Sequence, residues 1–163
     1  MSVWEELVPE HERALVDGYD EFKRTVNFQY GQWAVRSHWD RKIIALLLRG
    51  YDSWGTPYER FTRALWRYAQ RHDRLGVLEL KEPKLGHPMD EELDGRLISQ
   101  DLAWSARYLN RMKQFIPLKD KRKVLEIGAG CGRLAYAFKS LFPKCDYTII
   151  DIEPAKSLSK WYL

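Results

Sequence analysis

A glycine-rich segment between an apolar run and an amphipathic stretch constrains this chain more than any other feature of its sequence. Glycine occupies three alternating positions there, Gly128, Gly130 and Gly132. The run at residues 124–127 is typical of a strand, and the apolar spacing at residues 134–141 is typical of a helix. Because glycine lacks a Cβ atom, it permits a tight turn, a ligand against the backbone, and close packing of the helix. The segment therefore predicts a strand that turns directly into a helix.

A second apolar run, at residues 147–150, follows the predicted helix, which ends at Pro143. Strand, helix and strand form a βαβ unit, which gives parallel strands joined by a right-handed crossover. We therefore predict an α/β fold, with a helical N-terminal region and then the first βαβ unit of a Rossmann-like domain at residues 117–163. Two parallel strands leave apolar faces unburied. We accordingly expect an incomplete domain that is unstable, aggregation-prone or dependent on a missing part, and whether the sequence continues beyond Leu163 stays open.

An acidic residue, Asp151, stands directly after the second predicted strand and about 20 residues beyond the glycine segment, where a carboxylate can bind ribose hydroxyls. Two classes of cofactor-binding protein share this architecture, and the glycine spacing separates them. Dinucleotide enzymes use G-x-G-x-x-G, but Arg133 occupies the position of the last glycine. The spacing E-x-G-x-G-x-G, which begins at Glu126, resembles the first motif of class I S-adenosylmethionine-dependent methyltransferases. A nucleotide-binding oxidoreductase is the less favoured interpretation.

This resemblance implies S-adenosyl-L-methionine as the cofactor and assigns roles around the loop. The cofactor-binding residues that it implies are Glu126, Gly128, Ala129, Gly130, Gly132, Asp151, Ile152 and Gln100. Glu126 would lie under the methionine end, Asp151 would bind the ribose hydroxyls, and Ile152 would pack on the adenine. Gln100 is a second candidate for the methionine end, although it also belongs to an ordinary helix start. No catalytic base is assigned, and no metal site is predicted.

Longer stretches in the second half of the chain are similar to a bacterial family of sugar O-methyltransferases. The similar stretches are 85–88, 94–103, 124–135, 150–154 and 159–163. The sequence Ile-Ser-Gln-Asp-Leu at residues 98–102 is the part that points to this family rather than to methyltransferases in general. Two positions depart from its pattern, because His87 replaces a common asparagine and Glu153 a common proline. The resemblance implies methyl transfer to a sugar hydroxyl, with a small molecule or glycan as substrate.

The first part of the chain is dominated by helical patterns. Apolar spacing predicts helices at residues 10–30 and 39–51. A third helix is predicted to begin at Pro57, after a cap at Thr56, with its buried stripe on Tyr58, Phe61, Leu65 and Tyr68 and its arginines in solvent. Residues 80–95 are predicted to be a long loop, either a hinge or a ligand loop. We interpret residues 1–116 as a helical cap or substrate-side region.

A fourth helix is predicted between Ser99, its N-cap, and Pro117, which stops it. Its predicted buried positions are Leu102, Ala106, Leu109 and Met112.

Composition excludes several classes of protein. The formal net charge of +4, from 27 basic and 23 acidic residues, does not by itself indicate nucleic acid, and two cysteines are too few for a disulfide framework. No signal peptide or membrane span is evident. We expect a cytoplasmic enzyme without membrane or nucleic-acid partners, and a homo-oligomer stays open.

Two other functions also remain open from the sequence. One is a methyltransferase that acts on RNA or protein. The other is a non-enzymatic helical interaction module that keeps a vestigial cofactor loop.

Overall fold

The computed structural model describes residues 12, 19–20, 22–24, 57–81, 83–87, 91–120 and 123–163. Its helices are α1 (Pro57–His72), α2 (Gln100–Lys113), α3 (Arg133–Leu141) and α4 (Ala155–Tyr162). Its strands are β1 (Glu91–Leu93), β2 (Arg96–Ile98), β3 (Lys123–Ile127) and β4 (Asp146–Ile150). Short 3-10 turns occupy Phe22–Arg24 and Val77–Glu79. No helix in these ranges is long and apolar enough to cross a lipid bilayer.

The predicted βαβ unit is present. Strands β3 and β4 pair in parallel, with Val124 opposite Tyr147 and Ile127 opposite Ile150. Helix α3 connects them and covers one face of the pair, where Phe138 lies 5.5 Å from the ring of Tyr147. The prediction of an α/β fold, with helices first and a Rossmann-like βαβ unit after them, is therefore confirmed.

The opposite face of this strand pair is open. Leu125, Ile127 and Ile150 are 57%, 77% and 54% exposed. In both strands these residues alternate with half-buried neighbours, as expected of a sheet that is covered on one side only. An apolar strip therefore faces solvent beside the end of β3.

Helix α2 begins as predicted, because the Ser99 hydroxyl accepts a hydrogen bond from the backbone N–H of Leu102 at 3.1 Å. The helix ends at Lys113, before Pro117, and its buried residues include Leu102, Ala106 and Leu109. Met112, the fourth predicted core position, is partly buried against the same core.

One hydrophobic core joins the two predicted regions of the chain. It contains Phe61 and Trp66 of α1, Leu109 of α2 and Phe138 of α3, together with Cys145 just before β4. Residues on both sides of position 116 therefore share this core, and the division into two domains at that position stays a prediction.

Much of the helical region predicted at the start of the chain lies outside the described residues. The predicted helix at 39–51 and the cap at Thr56 lie outside the described residues, as does most of the helix predicted at 10–30, within which Phe22–Arg24 forms a 3-10 turn. Helix α1 begins at Pro57 as predicted. Its stripe was wrong at Tyr68, which is 46% exposed and stacks on His72, because the buried face turns instead toward Trp66.

The loop predicted at residues 80–95 was wrong at its end, because β1 and β2 form an antiparallel hairpin from Glu91 to Ile98. Asp94 and Gly95 make its two-residue turn with φ angles of 53° and 75°. Positive φ at both positions is the geometry that Asp-Gly turns favour between strands. The hairpin gives Arg63 of α1 a partner, Glu91, at 2.5 Å, so this arginine is not simply solvated as we expected.

Candidate functional site

The glycine loop after β3 has a left-handed backbone at all three glycines. The φ angles of Gly128, Gly130 and Gly132 are 75°, 58° and 87°. The N–H of Gly128 donates to the Ile150 carbonyl at 2.9 Å, and the N–H of Gly132 donates to the Ala129 carbonyl at 3.0 Å. The loop is therefore fixed to the end of β4 as it turns into α3.

The surroundings of these glycines divide them into two kinds. A Cβ atom at Gly132 would lie 3.1 Å from Cδ1 of Leu163 and 3.4 Å from Cβ of Ser159, so this glycine allows the end of α4 to approach the loop. A Cβ atom at Gly128 or Gly130 would meet none of the described residues within 4 Å. The backbone of these two residues thus faces open space, where a ligand could lie against it.

Asp151 lies at the end of β4 and faces this loop. Its Oδ2 atom accepts a hydrogen bond from the N–H of Gly130, and its Oδ1 atom accepts one from the N–H of Ile152, both at 2.8 Å. A carboxylate offers about four acceptor positions. Half of them therefore remain for a further donor, such as a pair of hydroxyl groups.

Glu126 is held by a tyrosine of the neighbouring strand. Its Oε2 atom accepts a hydrogen bond from the hydroxyl of Tyr147 at 2.8 Å. Burial raises the pKa of Glu126, and the nearby charge of Asp151 acts in the same direction, while the Tyr147 hydrogen bond and Arg133 oppose them. Burial and the charge of Glu126 raise the pKa of Tyr147, so its hydroxyl is a stable donor.

Gln100 contacts α1 rather than the loop in the interactions that the structure gives. Its Nε2 atom donates to the hydroxyl of Thr62 at 3.0 Å, and the side chain is 5% exposed. Its Oε1 atom is buried and has no hydrogen-bond partner within the described residues. Buried amide oxygens in folded proteins normally accept a hydrogen bond, so this atom has room for a further donor.

The other loop residues have plain roles in the geometry. Ala129 is buried, and its carbonyl closes the turn on Gly132. Ile152 is 50% exposed and lies beside Asp151, where its side chain is accessible. Burial, reinforced by the charge of Asp101, raises the pKa of Cys131 to about 11. Its thiol stays protonated at neutral pH and is a small packing group rather than a nucleophile.

Sequence reasoning missed a group of charges beside the loop. Asp101, in the first turn of α2, pairs with Arg133 at 2.8 Å and with Lys23 at 3.1 Å. The position of Asp101 at a helix start and of Arg133 after the last glycine were visible, but their pairing depends on how α2 meets α3. Lys23 carried no signal in the sequence.

The comparison with known families supports the interpretation of this region. Residues 92–161 match the model of the protein-L-isoaspartate(D-aspartate) O-methyltransferase family. The match covers less than half of the chain and includes α2, the glycine loop and both parallel strands. No curated protein and no solved structure matches the chain. Together, the match and the βαβ unit support an S-adenosylmethionine-dependent methyltransferase in general, with a Rossmann-like fold in this region.

Proposed function

We propose that this chain binds S-adenosylmethionine at the edge formed by the glycine loop and Asp151 and takes part in methyl transfer to an oxygen atom. One observation carries the proposal. The Asp151 carboxylate is aligned by the Gly130 amide at 2.8 Å, directly beside glycine backbone whose outer side is open. A cofactor with a ribose needs this combination of a carboxylate and an accessible backbone.

The residues of the site fit the parts of that cofactor. The free acceptor positions of Asp151 suit the two ribose hydroxyls, and the accessible side chain of Ile152 suits the adenine face. Glu126 suits the methionine end, whose ammonium group is a donor. Gln100, whose buried Oε1 atom lacks a partner within the described residues, is the second candidate for that end. Gly128 and Gly130 leave space for the cofactor to touch the backbone.

When bound, S-adenosylmethionine supplies a methyl group on a positively charged sulfur. The contribution of this chain is to bind and orient, since a fixed reacting geometry removes much of the entropic barrier to transfer. The carboxylate of Glu126 would also favour the positive charge of the bound cofactor. No described side chain is assigned as the base that activates the acceptor.

Two acceptors are compatible with O-methylation. Our leading proposal for the acceptor is a sugar hydroxyl. It rests on the resemblance of residues 98–102, Ile-Ser-Gln-Asp-Leu, to a family of sugar O-methyltransferases. The family match supports a second candidate, the carboxylate of an altered aspartate in a protein, because the matched family is named for that reaction. A hydroxyl needs a base to remove its proton, whereas a carboxylate is already ionised at neutral pH. Residues 1–116 are proposed to form the substrate side in either case.

Titration of S-adenosylhomocysteine into the chain tests the cofactor proposal. We expect saturable binding to the wild type and at least about tenfold weaker binding to Asp151→Ala, which removes the ribose acceptor. NAD⁺ serves as the control ligand. It should bind the wild type no more tightly than S-adenosylhomocysteine binds Asp151→Ala. Equal affinity of S-adenosylhomocysteine for both proteins would show that the Asp151 carboxylate does not bind the ligand.

The acceptor is tested by transfer of a radiolabelled methyl group. Glycans and peptides that contain isoaspartate would be offered separately, and the label would be followed through mild base. Methyl esters of carboxylates are hydrolysed by base, whereas methyl ethers of sugars survive. Base-stable label on a glycan supports the leading proposal, and base-labile label on the peptide supports the second.

A further inference from the structure

Three separate segments of the chain meet at the carboxylate of Asp101. Its Oδ1 atom accepts from Arg133 Nη1 at 2.8 Å, and its Oδ2 atom lies 3.1 Å from Lys23 Nζ. The side chain of Lys23 is 4% exposed and that of Arg133 is 16% exposed. Each oxygen thus serves a different cation in a largely buried setting.

The two cations, Arg133 and Lys23, come from different parts of the chain and contact different neighbours. Arg133 is the first residue of α3 and follows Gly132 of the glycine loop directly. Lys23 lies in the 3-10 turn, where its own N–H donates to the Gly86 carbonyl at 2.8 Å, and its ammonium group reaches the hydroxyl of Tyr162 at 3.4 Å. Asp101 therefore connects the start of α3 both to α2 and to a distant N-terminal turn.

Two neighbouring cations keep the buried carboxyl of Asp101 ionised. Burial alone would raise the pKa of this carboxyl, but Lys23 and Arg133 together lower it below its usual value. Buried pairs of this kind often contribute little net stability, although removing one partner leaves a charge without compensation. Their better-attested value is to fix one arrangement of the groups that they join.

The arrangement that is fixed here includes the cofactor edge. Arg133 follows Gly132 directly, and Gly130, two residues before Gly132, donates to Asp151. An ion pair that holds Arg133 at the start of α3 therefore limits how far the adjoining loop can move. A loop that is already in its binding geometry loses less entropy when a ligand binds. We propose that Asp101 is a positioning residue for the cofactor loop, which acts through Arg133 and so couples α2 and the Lys23 turn to cofactor affinity. This inference rests on the proposed cofactor site.

The test is the affinity of the chain for S-adenosylhomocysteine in Asp101→Asn, compared with a matched ion pair elsewhere. Glu91→Gln removes the charge of a buried carboxylate on the hairpin, which pairs with Arg63 of α1 and not with Arg133 or Lys23. We expect Asp101→Asn to weaken binding about tenfold and Glu91→Gln to change it by less than about twofold, at equal folded fraction. Equal effects of the two variants would overturn the inference.

A double-mutant cycle separates positioning from general loss of structure. In an Arg133→Met background, Asp101→Asn should weaken binding no further, whereas in a Lys23→Met background most of its effect should remain. An undiminished effect in the Arg133→Met background would also overturn the inference. If Asp101→Asn does not fold, Arg133→Lys replaces it, and unchanged affinity in that variant is the contradicting result.

Failure of this inference and failure of the proposed function give different results. Wild-type binding that is lost in Asp151→Ala but kept in Asp101→Asn leaves the cofactor site standing and removes the positioning role. Folded wild-type protein that does not bind S-adenosylhomocysteine removes both.

Discussion

The Oδ2 atom of Asp151 accepts a hydrogen bond from the backbone N–H of Gly130 at 2.8 Å, so the end of β4 holds the loop that follows β3. The other oxygen, Oδ1, accepts from the N–H of Ile152. Asp151 is thus an anchor of the loop as well as a candidate ligand for ribose. These two roles can be separated by measurement.

Asp151→Asn should lower the free energy of unfolding by about 1–2 kcal/mol in the absence of any ligand. An amide offers only one acceptor oxygen, and its NH₂ group would face one of the two N–H donors. Urea denaturation measures the change. Asp146→Asn, at the exposed start of the same strand, is the control and should change stability by less than about 0.5 kcal/mol. Equal stability of the two variants would contradict the anchoring role.

A matched pair of glycines tests the open side of the loop. Gly128 and Gly95 both have φ near 75°, and in the part of the chain that the structure describes a Cβ atom at either would meet nothing within 4 Å. Alanine at either position should therefore cost about 1 kcal/mol of stability through backbone strain. Only Gly128→Ala should also weaken S-adenosylhomocysteine binding, by about tenfold or more, because its methyl group would occupy the space of the ligand.

Calorimetric titration of both alanine variants decides this prediction. If Gly95→Ala weakens binding as much as Gly128→Ala, the effect comes from strain and the open backbone of Gly128 is not part of the site.

The hydrogen bond between Tyr147 and Glu126 predicts a pH-dependent stability. The pKa of Glu126 is raised in the folded state, mainly by burial, so its charged form destabilises the fold. Stability therefore falls as the pH rises from the usual glutamate pKa of 4.5 through the higher pKa of the folded state. Tyr147→Phe removes a donor to the charged form and raises this pKa further. The loss of stability in Tyr147→Phe should therefore be small near pH 4.5 and about 1–2 kcal/mol near neutral pH.

Tyr136→Phe is the control for that prediction. Its hydroxyl donates to the neutral carbonyl of Lys81 at 2.8 Å, so the loss on removing it should not depend on pH. Thermal denaturation of both variants across this pH range makes the comparison. A loss in Tyr147→Phe that is constant with pH would mean that Glu126 does not titrate in this window.

What the sequence revealed was local. The cap at Ser99 joins residues only three apart, and the βαβ unit follows from periodicity and glycine spacing within one continuous stretch. The hairpin was also signalled, by Asp94-Gly95, but its short and charged strands lack the apolar alternation that normally supports such a turn.

The contacts that could not be predicted depend on three-dimensional packing. The hydrogen bond between Tyr147 and Glu126 depends on the register of two strands, and the pairing of Asp101 with Lys23 depends on a turn far away in the sequence. Gln100 was expected near the cofactor, but its hydrogen bond to Thr62 depends on the packing of α1 against α2, which the sequence does not show.

The exposed strip on the open face of β3 and β4 predicts self-association. Ile127 pairs with Ile150, and Leu125 lies two residues earlier on the same face of β3, so these exposed side chains form an apolar patch of the kind that marks contact surfaces. Ile127→Thr keeps a β-branched side chain but makes the patch more polar. It should shift sedimentation toward the monomer, with a change in stability below about 0.5 kcal/mol. Val124→Thr, on the covered face, is the opposite control and should cost about 1 kcal/mol or more without reducing association. Unchanged sedimentation of Ile127→Thr would show that this strip does not mediate contact between copies.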